Sequence, residues 1–240
     1  GHVLVAEPSP ARATEVATRH GVRADASPAE VAAASDVVLV AVKPKDGPGS
    51  LRGIAGALRP GTVVVSVAAG VGAAALEADL PAGTPVVRVM PNTPAVIGKG
   101  AAGLCGGEHA TDEHLALVER LLAPTGLVVR VAEADMDAVT AISGSGPAYV
   151  FYLVDALAEA GVLLGLSRTQ AMDLARATFL GAAELLEQSG EHPALLRERV
   201  SSPGGTTVAG LRELDTHAVR AAVIAAAQAA RDRSRELGGR

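Results

Sequence analysis

In the first half of the chain, short runs rich in β-branched residues alternate with longer Ala/Leu-rich stretches whose apolar positions recur at helical spacing. The apolar runs fall at 3–6, 37–42, 62–67 and 86–89, with two weaker ones at 101–105 and 127–131. Residues 10–20, 28–34, 46–58, 72–79 and 111–123 between them read as helices. Strands buried on both faces show as unbroken Val-rich runs, and intervening helices supply the crossovers of a parallel sheet. In such sheets ligands bind beyond the carboxyl ends of the strands.

After about residue 131 the strand rhythm stops. Helical spacing continues through 134–142, 147–164, 168–188, 193–200, 205–213 and 216–236. Leu153, Ala156, Leu157, Ala160 and Leu164 mark one apolar face. The Ala-rich stretch 216–236 predicts a buried helix, packed against a second subunit. The pattern therefore predicts an α/β domain over 1–131 and an all-α, oligomerising domain over 132–240.

Composition narrows the chemistry. Hydrophobic residues make up 49% of the 240 positions but aromatics only 2%, so the core is built from Ala, Val and Leu. A net charge of −5 with no basic stripe argues against a nucleic-acid partner. The single cysteine, Cys105, excludes an internal disulfide and fits a reducing cytoplasm. None of the six histidines forms an i, i+4 pair around a carboxylate, so no metal site is expected. No run reaches about 18 uninterrupted apolar residues, so no membrane span is expected either. The start at Gly1-His2-Val3 does not read as a charged-then-apolar leader.

Each strand end carries small or polar residues: Val42-Lys43-Pro44, then Ala68-Ala69-Gly70-Val71-Gly72, then Met90-Pro91-Asn92-Thr93-Pro94. Small residues let a flat cofactor approach the backbone, and Asn92 offers a donor and an acceptor. Any one could be a plain turn; together at one sheet edge they read as one crevice. Gly144-Ser145-Gly146-Pro147 marks a helix start, where small residues equally serve close packing. Val200-Ser201-Ser202-Pro203-Gly204-Gly205-Thr206-Thr207 interrupts two helical stretches. It reads either as an ordinary capped turn or as a loop presenting free amides at the positive end of a helix, suited to a carboxylate.

Ala-Val-Lys-Pro (41–44), Met-Pro-Asn-Thr-Pro (90–94), Asp-Ala-Val-Thr-Ala-Ile-Ser-Gly-Ser-Gly-Pro-Ala-Tyr (137–149) and Val-Ser-Ser-Pro-Gly-Gly-Thr-Thr (200–207) stand in this order. The set resembles the pyrroline-5-carboxylate reductases over nearly the whole chain. The resemblance implies an N-terminal Rossmann domain and a C-terminal helical domain that interlocks subunits into dimers, often stacked into decamers. It implies reduction of 1-pyrroline-5-carboxylate to L-proline with NADPH or NADH, the last step of proline synthesis. It places Val42, Lys43, Pro44, Ala69 and Gly70 along the dinucleotide, with Asn92 nearby. It assigns the substrate carboxylate to Ser202 and to the loop backbone through Gly204, Gly205, Thr206 and Thr207. It turns the Thr207 hydroxyl, the catalytic group, toward the ring nitrogen. Glu133 matches a substrate-contacting position; as a carboxylate at a helix start it is equally favoured by the helix dipole alone.

The sequence departs from the family at its beginning. No Gly-x-Gly-x-x-Gly loop opens the chain, so 3–6 reads as the second strand of the Rossmann domain, with Glu7 at the ribose-contacting position. The first strand and the pyrophosphate loop are expected to be missing through truncation, leaving a gap in the sheet and a loosely held cofactor. Glu7 favours the free 2′-hydroxyl of NAD, whereas Ser9 and Arg12 lie close enough in sequence to receive a 2′-phosphate. Two other readings remain. A β-hydroxyacid dehydrogenase type of two-domain oxidoreductase would need a lysine in the first long C-terminal helix, yet Lys43, Lys45 and Lys99 all lie earlier. A catalytically dead oligomerisation fragment is the other.

Overall fold

The computed structural model describes residues 2–43 and 47–238, so Pro44 lies outside the described residues. The chain forms two compact units, one of Gly1–Gly144 with Ala230–Arg240 and the other of Ser145–Ala229.

The first unit is an α/β, Rossmann-like layer structure. Its five-stranded sheet runs in chain order: β1 (Val37–Val40), β2 (Val63–Ser66), β3 (Val86–Met90), β4 (Gly100–Gly106) and β5 (Gly126–Arg130). β1, β2 and β3 are parallel, with Val40 beside Ser66 and Ser66 beside Arg88. The helices are α1 (Pro10–His20), α2 (Pro28–Ala34), α3 (Gly47–Ala55), α4 (Ala73–Glu77) and α5 (Asp112–Leu122). On one sheet face Val38, Val40, Val64 and Val86 pack against Ala32 of α2, Leu51 and Ile54 of α3 and Leu76 of α4. On the other, Val63, Val65, Val87, Val89, Ala102 and Leu104 pack against Val118 of α5. Each such fully buried side chain contributes roughly 1.5–3 kcal/mol, which is why aliphatic residues suffice for the core.

Two expectations are corrected here. The 3–6 segment is not a strand of this sheet. It makes only isolated bridges, Leu4 with Arg23 and Ala6 with Asp25, and one amide bond from Val5 to the Arg23 carbonyl at 2.8 Å. A ladder needs partners on successive residues, and among the described residues the 23–25 segment is its sole, short partner. The second correction concerns β4, which runs antiparallel to β3, with Arg88 opposite Cys105 and Met90 opposite Gly103. The link between them is a single 3₁₀ turn, Thr93–Ile97, too short for the crossover of a dozen or so residues that a parallel return requires.

The first unit extends past the change of rhythm at 131. α6 (Met136–Val139) and the π-helical turn Thr140–Gly144 lie over β4, where Val139 fills the space that a side chain on Gly103 would occupy, about 2.8 Å from its ideal Cβ position. The end of the last helix returns to this unit as well: Ser234 donates to Asp137 at 2.7 Å, in a buried hydrogen bond.

The second unit is helical: α7 (Gly146–Leu163), α8 (Arg168–Ser189), α9 (Pro193–Arg199), α10 (Thr206–Thr216) and the start of α11 (Val219–Leu237). α7 and α8 meet through Ala158, Ala171 and Ala175, flanked by Val154 and Val162. Gly161 lets Ala171 approach so closely that a Cβ would sit 2.8 Å from it. The face marked by Leu153, Leu157 and Leu164 is therefore not the one that packs within the chain; these residues are exposed, as are Phe151 (66%), Tyr152 (75%) and Leu163 (88%). In the stretch 216–236, expected to pack against a second subunit, Val223 and Ile224 are about half exposed within one chain, whereas Ser234 is buried. The continuous helical stretch Glu133–Leu163, with a mean hydropathy of 1.2 over its most apolar window, is also long and apolar enough to cross a membrane by length and composition alone.

Gly126 begins β5 at φ +132°, and a Cβ there would overlap the backbone of Gly100. Gly126→Ala is expected to destabilise the fold by about 2–3 kcal/mol, measured as a lower midpoint in urea unfolding followed by circular dichroism.

Candidate active site

In the first unit the ends of β1, β2 and β3 point to one edge, and the residues that follow them form its lip. Val42 and Lys43 after β1 are exposed. After β2, Ala68 is buried and its amide donates to the Ser66 hydroxyl at 3.3 Å. Ala69 and Gly70 then turn, Gly70 at φ +78°; Gly70 is buried, and a Cβ there would lie 3.4 Å from Leu237 at the end of α11. Small side chains at the carboxyl edge of parallel strands suit a flat dinucleotide approaching beside Ala69, with the end of α11 packed over Gly70. Asn92, after β3, is engaged within the protein. Its side-chain oxygen accepts from the Ala101 amide at 2.9 Å and its side-chain nitrogen donates to the Ser143 carbonyl at 3.1 Å. It ties the turn after β3 to β4 and to the Thr140–Gly144 turn.

Glu7 lies at the end of the 3–6 segment. Its Oε1 accepts from the Ser9 amide at 2.9 Å, and its Oε2 lies 3.8 Å from Nε of Arg12 in α1.

A buried polar cluster interrupts the apolar sheet. Arg88 points to the same face as its sheet neighbours Ser66 and Cys105, and all three are buried. Arg88 is 1% exposed and donates from Nη1 to Glu133 Oε1 at 2.6 Å, while the Glu133 side chain stays 34% exposed. The Cys105 thiol donates to the other carboxylate oxygen at 2.9 Å. Burial first, then the hydrogen bond to Glu133 and its negative charge, push the Cys105 thiol up to about 12, against a smaller opposite pull from Arg88. The thiol therefore stays protonated and acts as a donor. A Cβ on Gly72, which caps α4, would lie 3.2 Å from Glu133 Oε1, so this carboxylate sits beside the turn after β2. Sequence reasoning singled out Glu133 and missed Arg88, although a lone charge within Val86-Val87-Arg88-Val89-Met90 was the available signal.

In the second unit, α9 ends at Arg199 and the Ser202–Gly205 turn leads into α10. The Gly205 amide donates to the Ser202 carbonyl at 2.9 Å, and Gly204 sits at φ +67°. A Cβ on Gly205 would collide with the Ser202 hydroxyl. Gly205 is the N-cap of α10 and, having no side chain, leaves the first-turn amides uncapped. The Thr206 and Thr207 hydroxyls have no partner among the described residues; Thr207 is half-buried and Ser202 exposed. The loop thus offers hydroxyls and amides at the positive end of an 11-residue helix.

Comparison with known proteins bears on both units. The family model for pyrroline-5-carboxylate reductase dimerisation matches residues 133–237, and the model for NADP oxidoreductase, coenzyme F420-dependent, matches residues 1–70. The chain is 47% identical over 240 residues to the pyrroline-5-carboxylate reductase of Corynebacterium melassecola, covering 99% of this chain and 89% of that protein. A solved pyrroline-5-carboxylate reductase from Coxiella burnetii superposes with a TM-score of 0.92 at 34% identity, covering 98% of this chain and 87% of that one. The Plasmodium falciparum pyrroline carboxylate reductase, solved with NADP bound, superposes with a TM-score of 0.83 at 32% identity, covering 90% and 82%. The dimerisation match spans the apolar faces left open on α7, α8 and α11, which fits self-association. Matched along nearly its whole length, the chain belongs to the pyrroline-5-carboxylate reductase family.

Proposed function

We propose that this chain reduces 1-pyrroline-5-carboxylate to L-proline, the last step of proline synthesis, with NADPH or NADH. The observation that carries the reading is the Ser202–Thr207 loop, closed on itself through Gly205 so that the amides and hydroxyls of Thr206 and Thr207 are left for a ligand. Ser202, the backbone of Gly204 and Gly205, and the Thr206 and Thr207 amides hold the substrate carboxylate. The Thr207 hydroxyl bonds the ring nitrogen.

The chemistry asks little else of the protein. The protonated imine is electron-poor at its ring carbon. A dinucleotide, when bound, would supply the hydride for the new C–H bond, the C=N π electrons becoming the nitrogen lone pair. Thr207 fixes the nitrogen and hence the ring face offered to the donor. Holding two reactants in register contributes on the order of 7–11 kcal/mol at best, so a strong protein base is not required. Val42, Lys43, Ala69 and Gly70 line the dinucleotide, with Pro44 assigned beside them by sequence and Glu7 at the ribose. Glu133, held rigid by Arg88 and Cys105, presents a carboxylate beside Gly72. Asn92 supports the edge through its two internal hydrogen bonds.

The helical unit serves as the dimer interface, with dimers stacked into decamers, a state that light scattering after size exclusion would read directly. The reading places the enzyme in the cytoplasm, with no membrane and no nucleic acid as partner. The rival acid–base lysine of a β-hydroxyacid dehydrogenase has no counterpart in α7.

The deciding assay is dinucleotide oxidation dependent on pyrroline-5-carboxylate, with no reverse reaction on 3-hydroxyacids. Absence of the first, or presence of the second, would overturn the reading. Thr207→Ala is expected to lower kcat/KM by about 10–100-fold without abolishing turnover, the loss expected of one hydrogen bond to a charged group. Gly205→Ala, which forces Ser202 aside, is expected to raise KM for pyrroline-5-carboxylate at least ~10-fold, with the affinity for dinucleotide unchanged.

A further inference from the structure

A charged pair inside a sheet of valines is expensive, and this one is incomplete as a structural bridge. Arg88 is 1% exposed and donates from Nη1 to Glu133 at 2.6 Å, while its Nη2 is buried and makes no hydrogen bond among the described residues. An unspent buried donor costs stability. Apolar side chains of similar volume in place of a buried pair are often neutral or stabilising. Stability alone is therefore a poor reason for a charge within Val86-Val87-Arg88-Val89-Met90. The pair does fix an orientation. Its cation is sealed in the sheet, and its carboxylate, 34% exposed, lies at the turn after β2, with Oε1 3.2 Å from where a Cβ on Gly72 would sit. The Cys105 thiol donates to Oε2 at 2.9 Å, so both oxygens are held. The result is a fixed dipole with its negative end at the strand edge.

We propose that Glu133 is the counter-charge to the nicotinamide ring during hydride transfer, and that Arg88 and Cys105 are the positioning residues that hold it there. The proposal rests on the reductase reading above and assigns Glu133 to the dinucleotide's side of the reaction. With one ribose at Glu7, a dinucleotide crossing the strand ends past Lys43 and Ala69 brings its nicotinamide end to the β2 edge, beside Gly72. When bound, a neutral dihydronicotinamide would give a hydride with its electron pair to the cationic imine, which becomes a neutral amine, so that one positive charge passes from the substrate to the ring. Glu133, fixed beside that ring, meets charge that builds only as the transfer proceeds. It therefore stabilises the transition state over the bound reactants, with no reorganisation at the moment of reaction. The same charge is permanent on an oxidised dinucleotide, so Glu133 also favours the oxidised form over the reduced one at equilibrium.

The test is isothermal titration calorimetry of the full chain with NADPH, NADP⁺, NADH and NAD⁺, together with kcat and KM for pyrroline-5-carboxylate. Glu133→Gln, which keeps the shape and removes the charge, is expected to weaken the oxidised form about 10-fold relative to the reduced form. It is expected to lower kcat by about 10–100-fold, with KM for pyrroline-5-carboxylate within about 3-fold of native. Arg88→Met, which keeps the carboxylate but releases it, is expected to move both readouts in the same direction. Glu133→Gln alone leaves a buried guanidinium unpaired. The double variant Arg88→Met/Glu133→Gln, with both charges gone, is expected to keep native circular dichroism and to show both defects. A double variant with native kcat and native affinity ratio would reduce the pair to a structural bridge and overturn the proposal. So would a double variant that fails to fold, since the pair would then be held for stability. Equal weakening of oxidised and reduced forms in Glu133→Gln, a folded Arg88→Met indistinguishable from native, or a raised KM for pyrroline-5-carboxylate at unchanged kcat would each overturn it too, the last by placing Glu133 at the substrate. All of these outcomes leave the reductase reading intact. Failure of all four dinucleotides to bind the native chain would overturn that reading and the proposal with it.

Discussion

A guanidinium buried in the middle of a sheet is the constraint around which the first unit is arranged. Arg88 lies in β3 with its neighbours in β2 and β4 buried beside it. A buried cation without a partner costs several kcal/mol, so the chain must return a carboxylate to it. Glu133 does so from 45 positions further on. The return pins the stretch after β5 to the sheet beside Gly72. From there α6 lies over β4, where Gly103 is bare enough to admit Val139. Asp137, one turn beyond Glu133, is in turn engaged by Ser234 and, at 3.8 Å, by Arg235 of the last helix. One ion pair thus decides where the chain goes once the sheet is complete. Because Glu133 keeps a third of its side chain in contact with solvent, the same pair brings a negative charge to the sheet edge without stranding it.

The second unit obeys a different economy. Its intrachain contacts are made by the smallest residues available, Ala158, Gly161, Ala171 and Ala175, which bring α7 and α8 close. The large apolar residues, from Phe151 and Tyr152 to Leu163 and Leu164, point outward. A monomer with that surface would be an aggregation hazard. A subunit of a dimer would not, since an obligate interface resembles a domain core divided between two chains. The near absence of aromatic residues elsewhere sharpens the contrast: both phenylalanine and tyrosine are scarce in this sequence, and one of each stands exposed at the start of α7.

Much of this was legible in the order of residues, and the exceptions have physical causes. The unbroken valine runs located β2 and β3 because strands buried on both faces tolerate little else, and located β1 although its Leu39 face is exposed. The Ser-Ser-Pro-Gly-Gly stretch marked the start of α10 because neither Pro203 nor the glycines extend a helix. The direction of β4 was not legible, since side-chain alternation reads the same both ways and only the length of the Thr93–Ile97 link decides it. The 3–6 run resembled a sheet strand because apolar pattern reports burial, whereas ladder formation depends on a neighbour. The internal hydrogen bonds of Asn92 were not legible, since an amide that bonds backbone inside the protein and one that bonds a cofactor look identical in sequence. Periodicity on α7 picked out an apolar face correctly and said nothing of whether the same chain or another copy covers it.

The division of labour in the proposed reaction follows from these constraints. A substrate carboxylate carries a full charge and is well served by amides at a helix start, where no side chain has to be ordered to receive it. A dinucleotide is large and flat and is better served by bare backbone at a strand edge.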